Sequence, residues 1–321
     1  MTPVNSPSEI LSVQLNTSST NSNKILRKIR KKLKNDLIFP FLSALIFVFR
    51  ILPRKTAFLL AKILARLAFW ILPKERKKTI ENLTLVFGKE KSEAEIKKLA
   101  QEVFINLALS GVDAIRLIKY QDKIAQMVEV ENEEIFDEAY RRGKGIMTLT
   151  GHVGCFELMG PYFNQKGYKT AVIGRELYDK RLDKILVENR EKSGVQNIPN
   201  SSSVKEIIRV LKEGKALGVL IDQNSSKVRN VKVIFFGRTV NAPVGPALIA
   251  LKTGSPIVPL AIVRNSNNSY RIIVGQKLEA KEVEDIEKEA VRLTQECTLF
   301  LEQIIKKYPA QWVWMHNRWG D

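Results

Sequence analysis

A chain of 321 residues has room for one large domain and an appendage, and its hydrophobic fraction of 45% is ordinary for a globular protein. Fifty-two Lys and Arg against thirty-four Asp and Glu leave a net charge of +18. That excess points to anionic partners: nucleic acid, a negatively charged membrane surface, or a phosphorylated or acidic substrate. Two cysteines, Cys155 and Cys297, exclude a disulfide framework and fit a reducing compartment.

Residues 1–23 are rich in Ser, Thr and Asn and offer little that packs, which is the composition of a disordered tail. Between Lys24 and Lys34 stand seven basic residues and no acidic one. An apolar run, Leu37 to Phe49, follows and is closed by Arg50, Ile51 and Leu52. A second apolar stretch, Ala57 to Leu72, carries Lys62 and Arg66 one helical turn apart. Even with Arg50 snorkelling, the first run is shorter than the roughly twenty residues of a transmembrane helix. It starts too late for a signal peptide and no small-residue cleavage site follows. Residues 24–73 are therefore expected to anchor the chain to a membrane. They would do so as one short tilted span or as two interfacial helices, with the basic segment on the cytoplasmic side. A nucleic-acid role is not expected. The basic run abuts apolar helices rather than a reading helix, and no aromatic-basic interleaving of an RNA-binding sheet is present.

Residues 74–321 read as a second unit. Residues 74–120 are helical in pattern, with Ser92 and Glu95 spaced as a capping box before an amphipathic run from Ile96 to Leu117. A polar helix over 133–142 ends at Gly143. The run Gly145 to Thr150 is a buried strand in character. It breaks at Gly151-His152-Val153-Gly154 and resumes as a short apolar helix, Phe156 to Met159. Strands are then expected at 169–174, 216–221, 231–236, 256–263 and 270–274, alternating with helices at 178–193, 204–212, 243–252 and 283–307. This alternation predicts an α/β fold, with a mostly parallel or mixed sheet flanked by helices and the last strands turning antiparallel. Sites in such sheets gather beyond the carboxyl ends of strands, which is where His152, Arg175 and Asp222 fall.

Within residues 145–160 the side chains with acid/base chemistry are His152 and Glu157. Five residues apart, they would lie about 140° apart on one helix, so they meet only if His152 sits in the turn and Glu157 in the first turns after it. A carboxylate on one imidazole nitrogen orients the ring and leaves the other free to take a proton. No metal is expected, because His152, Cys155, Cys297 and His316 match no common zinc spacing. No G-x-G-x-x-G or P-loop implies a nucleotide cofactor, and no G-x-S-x-G elbow supports serine hydrolase chemistry.

The motif Gly151-His152-Val-Gly-Cys-Phe-Glu157 resembles the H-x4-E signature of the lysophospholipid acyltransferase superfamily. More narrowly, the chain is similar to the bacterial lipid A biosynthesis (late) acyltransferases. The resemblance runs from about residue 37 onward. It includes Glu81-Asn82-Leu83, Gly174-Arg175, Asp222-Gln223, Phe235-Phe236-Gly237 and Trp314-Met-His316-Asn-Arg318-Trp319. One departure is Cys155-Phe156, where many relatives have Asn-Trp before the Glu.

That resemblance implies a catalytic domain over 74–321 that moves a fatty acyl group from acyl carrier protein to a hydroxyl of a lipid A precursor. It implies His152 as general base and Glu157 as the group that fixes its tautomer. Arg175, Asp222 and Gln223 are implied to stabilise the oxyanion or bind substrate, and Phe235, Phe236 and Gly237 to shape an acyl pocket. Trp312, Trp314, His316, Arg318 and Trp319 look like a packing and interface cluster, with His316 not catalytic. The expected partners are acyl carrier protein, an anionic glycolipid and the inner membrane, with the catalytic domain on its cytoplasmic face and no cofactor. The alternatives are acylation of another membrane glycolipid, such as a phosphoinositide mannoside, or a non-catalytic membrane-bound lipid-binding module. Coenzyme A remains open as donor.

Overall fold

The computed structural model describes residues 35–37, 39–120, 123–224, 228–279 and 284–320. The expected disordered tail and basic segment, residues 1–34, lie outside the described residues. By internal contacts the chain divides into residues 1–51 and 52–321. In the first unit residues 39–51 are helical, with Phe41, Phe47 and Ile51 exposed.

The second unit opens with three helices: α1 (Arg54–Ile71), α2 (Pro73–Phe87) and α3 (Glu93–Ile115). Small residues on α1 (Ala57, Ala61, Ala65) let it lie close on α3, with Phe58 and Phe69 buried beside them. Helix α1, expected to belong with the anchor, is thus part of the α/β unit. Pro73 occupies the first turn of α2 and cannot extend α1, so the chain breaks between them and bends by 91°. No single helix among the described residues is long and apolar enough to cross a membrane; α1 and α2 qualify only as that bent pair. Ser92 caps α3 in a full capping box, worth about 1 kcal/mol.

A short helix α4 (Ile124–Met127) leads into strand β1 (Val128–Glu131), and α5 (Glu133–Arg141) into β2 (Ile146–Thr150). A 3-10 turn over Phe156–Leu158 and helix α6 (Met159–Gln165) follow. Next come β3 (Thr170–Gly174), α7 (Lys180–Lys192), β4 (Val195–Pro199), α8 (Val204–Lys212) and β5 (Ala216–Leu220). The chain finishes with β6 (Asn230–Phe235), β7 (Arg238–Pro243), α9 (Gly245–Thr253), β8 (Ile257–Arg264), β9 (Tyr270–Val274) and α10 (Ile286–Lys307).

Seven strands form one sheet in the order β1-β9-β8-β2-β5-β3-β4. Neighbours run parallel except β8 and β9, so the turn to antiparallel pairing falls at the last strands, as expected. Three strands were not anticipated, β1, β4 and β7. β1 (VEVE) and β4 (VQNIP) sit at the two edges, where one side lacks a partner strand and the apolar run can be short or broken by polar residues. The strand expected at 231–236 is β6, but it pairs with β7 as a separate hairpin outside the main sheet. Helices α5 and α6 contribute to the core on one face of the sheet, and α8, α9 and α10 to that on the other. The hairpin, α2, α3 and residues 312–319 build a third, aromatic core.

Candidate active site

Strands β2 and β5 pair in parallel with Thr150 opposite Leu220. Two residues beyond those partners, at the carboxyl edge of the sheet, stand His152 and Asp222. The register brings them together: the His152 Nδ1–H donates to Asp222 Oδ1 at 2.8 Å. Asp222 Oδ2 accepts from the His152 backbone N–H and from the Trp312 indole N–H, both at 2.7 Å. Gly151 gives the carboxylate room, since a Cβ there would meet Asp222 Oδ2 at 3.1 Å. Gly154 closes the turn with φ +56, and a Cβ would strike the Ile262 carbonyl oxygen at 2.2 Å, so this position demands glycine.

The electrostatics follow from these contacts. Burial pushes the Asp222 carboxyl up, but the His152 ring charge and the three hydrogen bonds outweigh it and hold the pKa at about 2. Burial pulls the His152 imidazole down, yet the Asp222 charge and hydrogen bond, and more distantly the Glu157 charge, raise it above its ordinary value. The pair is therefore a fixed carboxylate and an imidazole made more basic by it. With Nδ1 occupied, Nε2 is the nitrogen left to accept a proton.

Glu157 is placed differently from expectation. It lies in the 3-10 turn, where the Arg190 guanidinium of α7 grips it with two hydrogen bonds, Nε to Oε2 at 2.9 Å and Nη2 to Oε1 at 2.6 Å. Arg190 Nη1 also donates to Asn197 Oδ1 at 2.8 Å. Asp222, not Glu157, is the carboxylate that orients the base, because parallel pairing of β2 with β5 outreaches a five-residue local offset.

Gln223 follows Asp222 into the site. Its amide nitrogen stands 3.0 Å from His152 Nε2 and 3.2 Å from Nδ1. A donor on the Nε2 lone-pair axis would be far from Nδ1, so these near-equal distances put the amide abreast of the ring and leave that axis open. The same nitrogen lies 2.6 Å from His316 Nε2. His316, expected only to pack, is thus at the site, its ring 5.9 Å from that of His152. Arg175 sits just past β3, exposed, and among the described residues it makes no ion pair or hydrogen bond.

Residues 312–319 are stitched onto the site. Trp312 and Trp314 are fully buried, which fits packing and not a membrane boundary. Asn82 on α2 donates to the carbonyl oxygens of Trp314 and His316, both at 2.7 Å. Phe235 ends β6, and Phe236 and Gly237 form the two-residue turn to β7, both with positive φ. The rings of Phe235 and Phe236 pack on Trp312, Trp314 and Trp319, and none of the three residues lines the apolar cavity described next.

An apolar cavity lies elsewhere, between the sheet and α6. Phe156, Glu157 and Arg190 line it together with Thr148, Thr150 and Gly218 on β2 and β5. Phe156 also meets the His152 ring edge to face, which links the cavity wall to that ring. Thr150 Oγ1 is buried there without a hydrogen-bond partner. Thr150→Val keeps the shape and removes that orphan, and is expected to stabilise the fold by about 1 kcal/mol in chemical denaturation.

A carboxylate-oriented imidazole beside an apolar cavity, at the carboxyl edge of a parallel sheet, has the chemistry to act as a general base on a substrate with a hydrophobic portion. The comparisons with known proteins narrow that class. Residues 27–320 match the family described as bacterial lipid A biosynthesis acyltransferase, and the chain belongs to that family. Among curated proteins it is similar to the phosphatidylinositol mannoside acyltransferase of Mycobacterium tuberculosis, 25% identical over 38% of this chain and 40% of the relative. The protein of the same description from Mycolicibacterium smegmatis is 22% identical over 43% of this chain and 46% of its own. The matched stretch thus spans under half the length of these relatives. A crystal structure of the 1-acyl-sn-glycerophosphate acyltransferase PlsC from Thermotoga maritima superposes with a TM-score of 0.38 at 16% identity, covering 76% of this chain and 97% of that one.

Proposed function

We propose that the protein transfers a fatty acyl group from the thioester of acyl carrier protein to a hydroxyl of a membrane glycolipid, a lipid A precursor. The observation that carries this reading is the buried Asp222–His152 pair with Nε2 open beside an apolar cavity. His152 Nε2 takes the hydroxyl proton as the oxygen bonds to the thioester carbon, and Asp222 stabilises the imidazolium. The tetrahedral intermediate collapses with cleavage of the C–S bond, and the imidazolium returns the proton to the departing thiolate. The acyl chain lies in the cavity beside Thr148 and Gly218. Glu157, held by Arg190, lines that cavity.

The net charge of +18 suits both an acidic carrier protein and an anionic lipid. Helix α1 exposes Leu59, Ile63, Leu67 and Trp70 beside Lys55 and Arg66, a composition suited to lying on an anionic inner-membrane surface from the cytoplasmic side. A second acceptor, a phosphoinositide mannoside, is favoured by the names of the mycobacterial relatives.

The test is acyl transfer from labelled acyl carrier protein to each glycolipid in detergent, comparing the parent with His152→Ala. Label moving to lipid with the parent, and at least about 10²-fold more slowly with the variant, is expected. Equal rates for the two would remove His152 as base, and no transfer by a folded parent would leave a lipid-binding module.

A further inference from the structure

We propose that His316 is a positioning residue: its Nε2 lone pair holds the Gln223 amide N–H beside His152 as the donor to the oxyanion of acyl transfer. This rests on the acyl-transfer reading of the same site and extends it to a residue that acts through another.

The thioester carbonyl oxygen becomes an oxyanion as the hydroxyl beside Nε2 adds to its carbon, and it needs a donor fixed in advance, because a donor that must turn during the reaction gives back much of its benefit. Arg175 is exposed past β3, and Asp222 is committed to the base, its Oδ2 accepting two hydrogen bonds. Among the described residues, Gln223 is the remaining polar side chain hydrogen-bonded to the reactive ring. Its amide nitrogen stands 3.0 Å from Nε2 yet off the lone-pair axis, beside the path of an incoming hydroxyl rather than across it.

An amide side chain by itself can present its oxygen or its nitrogen, and only the nitrogen stabilises an anion. The 2.6 Å contact to His316 Nε2 decides between them. A lone pair on that nitrogen accepts one amide N–H and directs the second hydrogen of the same NH2 toward the reaction centre. Burial, and then the charge of His152, lower the His316 pKa against the opposing charge of Asp222, so the ring stays neutral and keeps a lone pair. His316 is itself pinned: Asn82 holds its carbonyl oxygen, and the next polar side chain, Asn224, donates to the Gly320 carbonyl oxygen at 3.1 Å. Asn82 and His316 stand 234 residues apart in sequence and meet behind the amide.

The experiment has two independent arms. In the first, donor kinetics compare the parent with Gln223→Leu, His316→Phe and His316→Gln. Loss of one oxyanion donor costs about 10²–10³ in kcat, so Gln223→Leu is expected in that range with the donor KM changed less than about twofold. His316→Phe keeps the ring volume but has no acceptor, and is expected to lose about 10- to 100-fold in kcat. His316→Gln, whose carbonyl oxygen can accept the same N–H, is expected to recover most of that loss. A role in packing alone predicts the reverse order, with Phe above Gln, and that order would overturn the proposal, as would a loss confined to KM. Should His316→Phe not fold, Gln223→Leu carries this arm.

In the second arm, histidine ring nitrogens are read by NMR in the resting protein, where no transfer is needed. The parent is expected to show His316 as the neutral Nδ1–H tautomer, with an Nε2 signal that moves in Gln223→Leu. An Nε2–H tautomer would mean that the amide presents its oxygen, and it would sink the assignment. A parent that transfers no acyl group but shows the expected tautomer would fail the acyl-transfer reading and leave the His316–Gln223 contact standing.

Discussion

Asp222→Asn is expected to lower kcat by about 10²–10⁴ while the protein stays folded. The reason is a forced tautomer. Asp222 Oδ2 accepts two N–H groups, from the His152 backbone and from Trp312. An asparagine must place its oxygen there, since its NH2 accepts nothing. The NH2 then faces His152 Nδ1, which has to become the acceptor, and the ring proton moves to Nε2. The nitrogen that should take the hydroxyl proton already carries one. The pH profile supplies the second signature. In the parent the base must be unprotonated, and its pKa is raised, so kcat/KM is expected to climb with pH through a value above the ordinary 6.5 of histidine. Without the carboxylate, that acid limb should move to lower pH. A variant with parental turnover and an unmoved limb would show that Asp222 does not serve His152.

Arg190→Met is expected to destabilise the fold by about 3–5 kcal/mol, measured by chemical denaturation, because it leaves Glu157 buried without its cation. Both side chains are nearly enclosed, at 11% and 12% exposure, and Arg190 makes three hydrogen bonds that a thioether cannot replace. Adding Glu157→Gln to that variant removes the stranded charge and should return much of the loss. If the single variant costs under about 1 kcal/mol, the ion pair is not what holds this wall of the cavity.

The legible and illegible parts of this protein divide along physical lines. Strands β2 (IMTLT) and β5 (ALGVL) are central and apolar, so both strands and the turns beyond them stood out in the sequence. His152 stood out for the same reason, set between glycines at the end of such a run. Asp222 stood out as well, at the end of β5, but as a substrate or oxyanion group and not as the partner of His152. The His152–Asp222 contact depends on which strand lies beside β2 and in what register, and neither is written in local periodicity. Arg190 was hidden differently: it sits on α7, whose charge density reads as a solvated surface, and its value lies in meeting a carboxylate 33 residues away. Phe235 and Phe236 were visible as apolar residues, but their pairing with tryptophans near residue 312 was not. The edge strands β1 and β4 carry too few apolar residues to be separated from loops.

The order in which these contacts close has a consequence for how the protein matures. Its sheet already joins distant strands, with Val128 of β1 opposite Tyr270 of β9, and the Asn82 clasp on His316 reaches farther still, across 234 residues. Closing such loops costs entropy that only the final packing returns, so they are the slowest contacts to form. A chain with its sheet already built therefore still lacks the Asn82 clasp, the longest of these closures. Competence is the last property this fold acquires, and by the same reasoning the first that thermal fraying of residues 312–320 takes away.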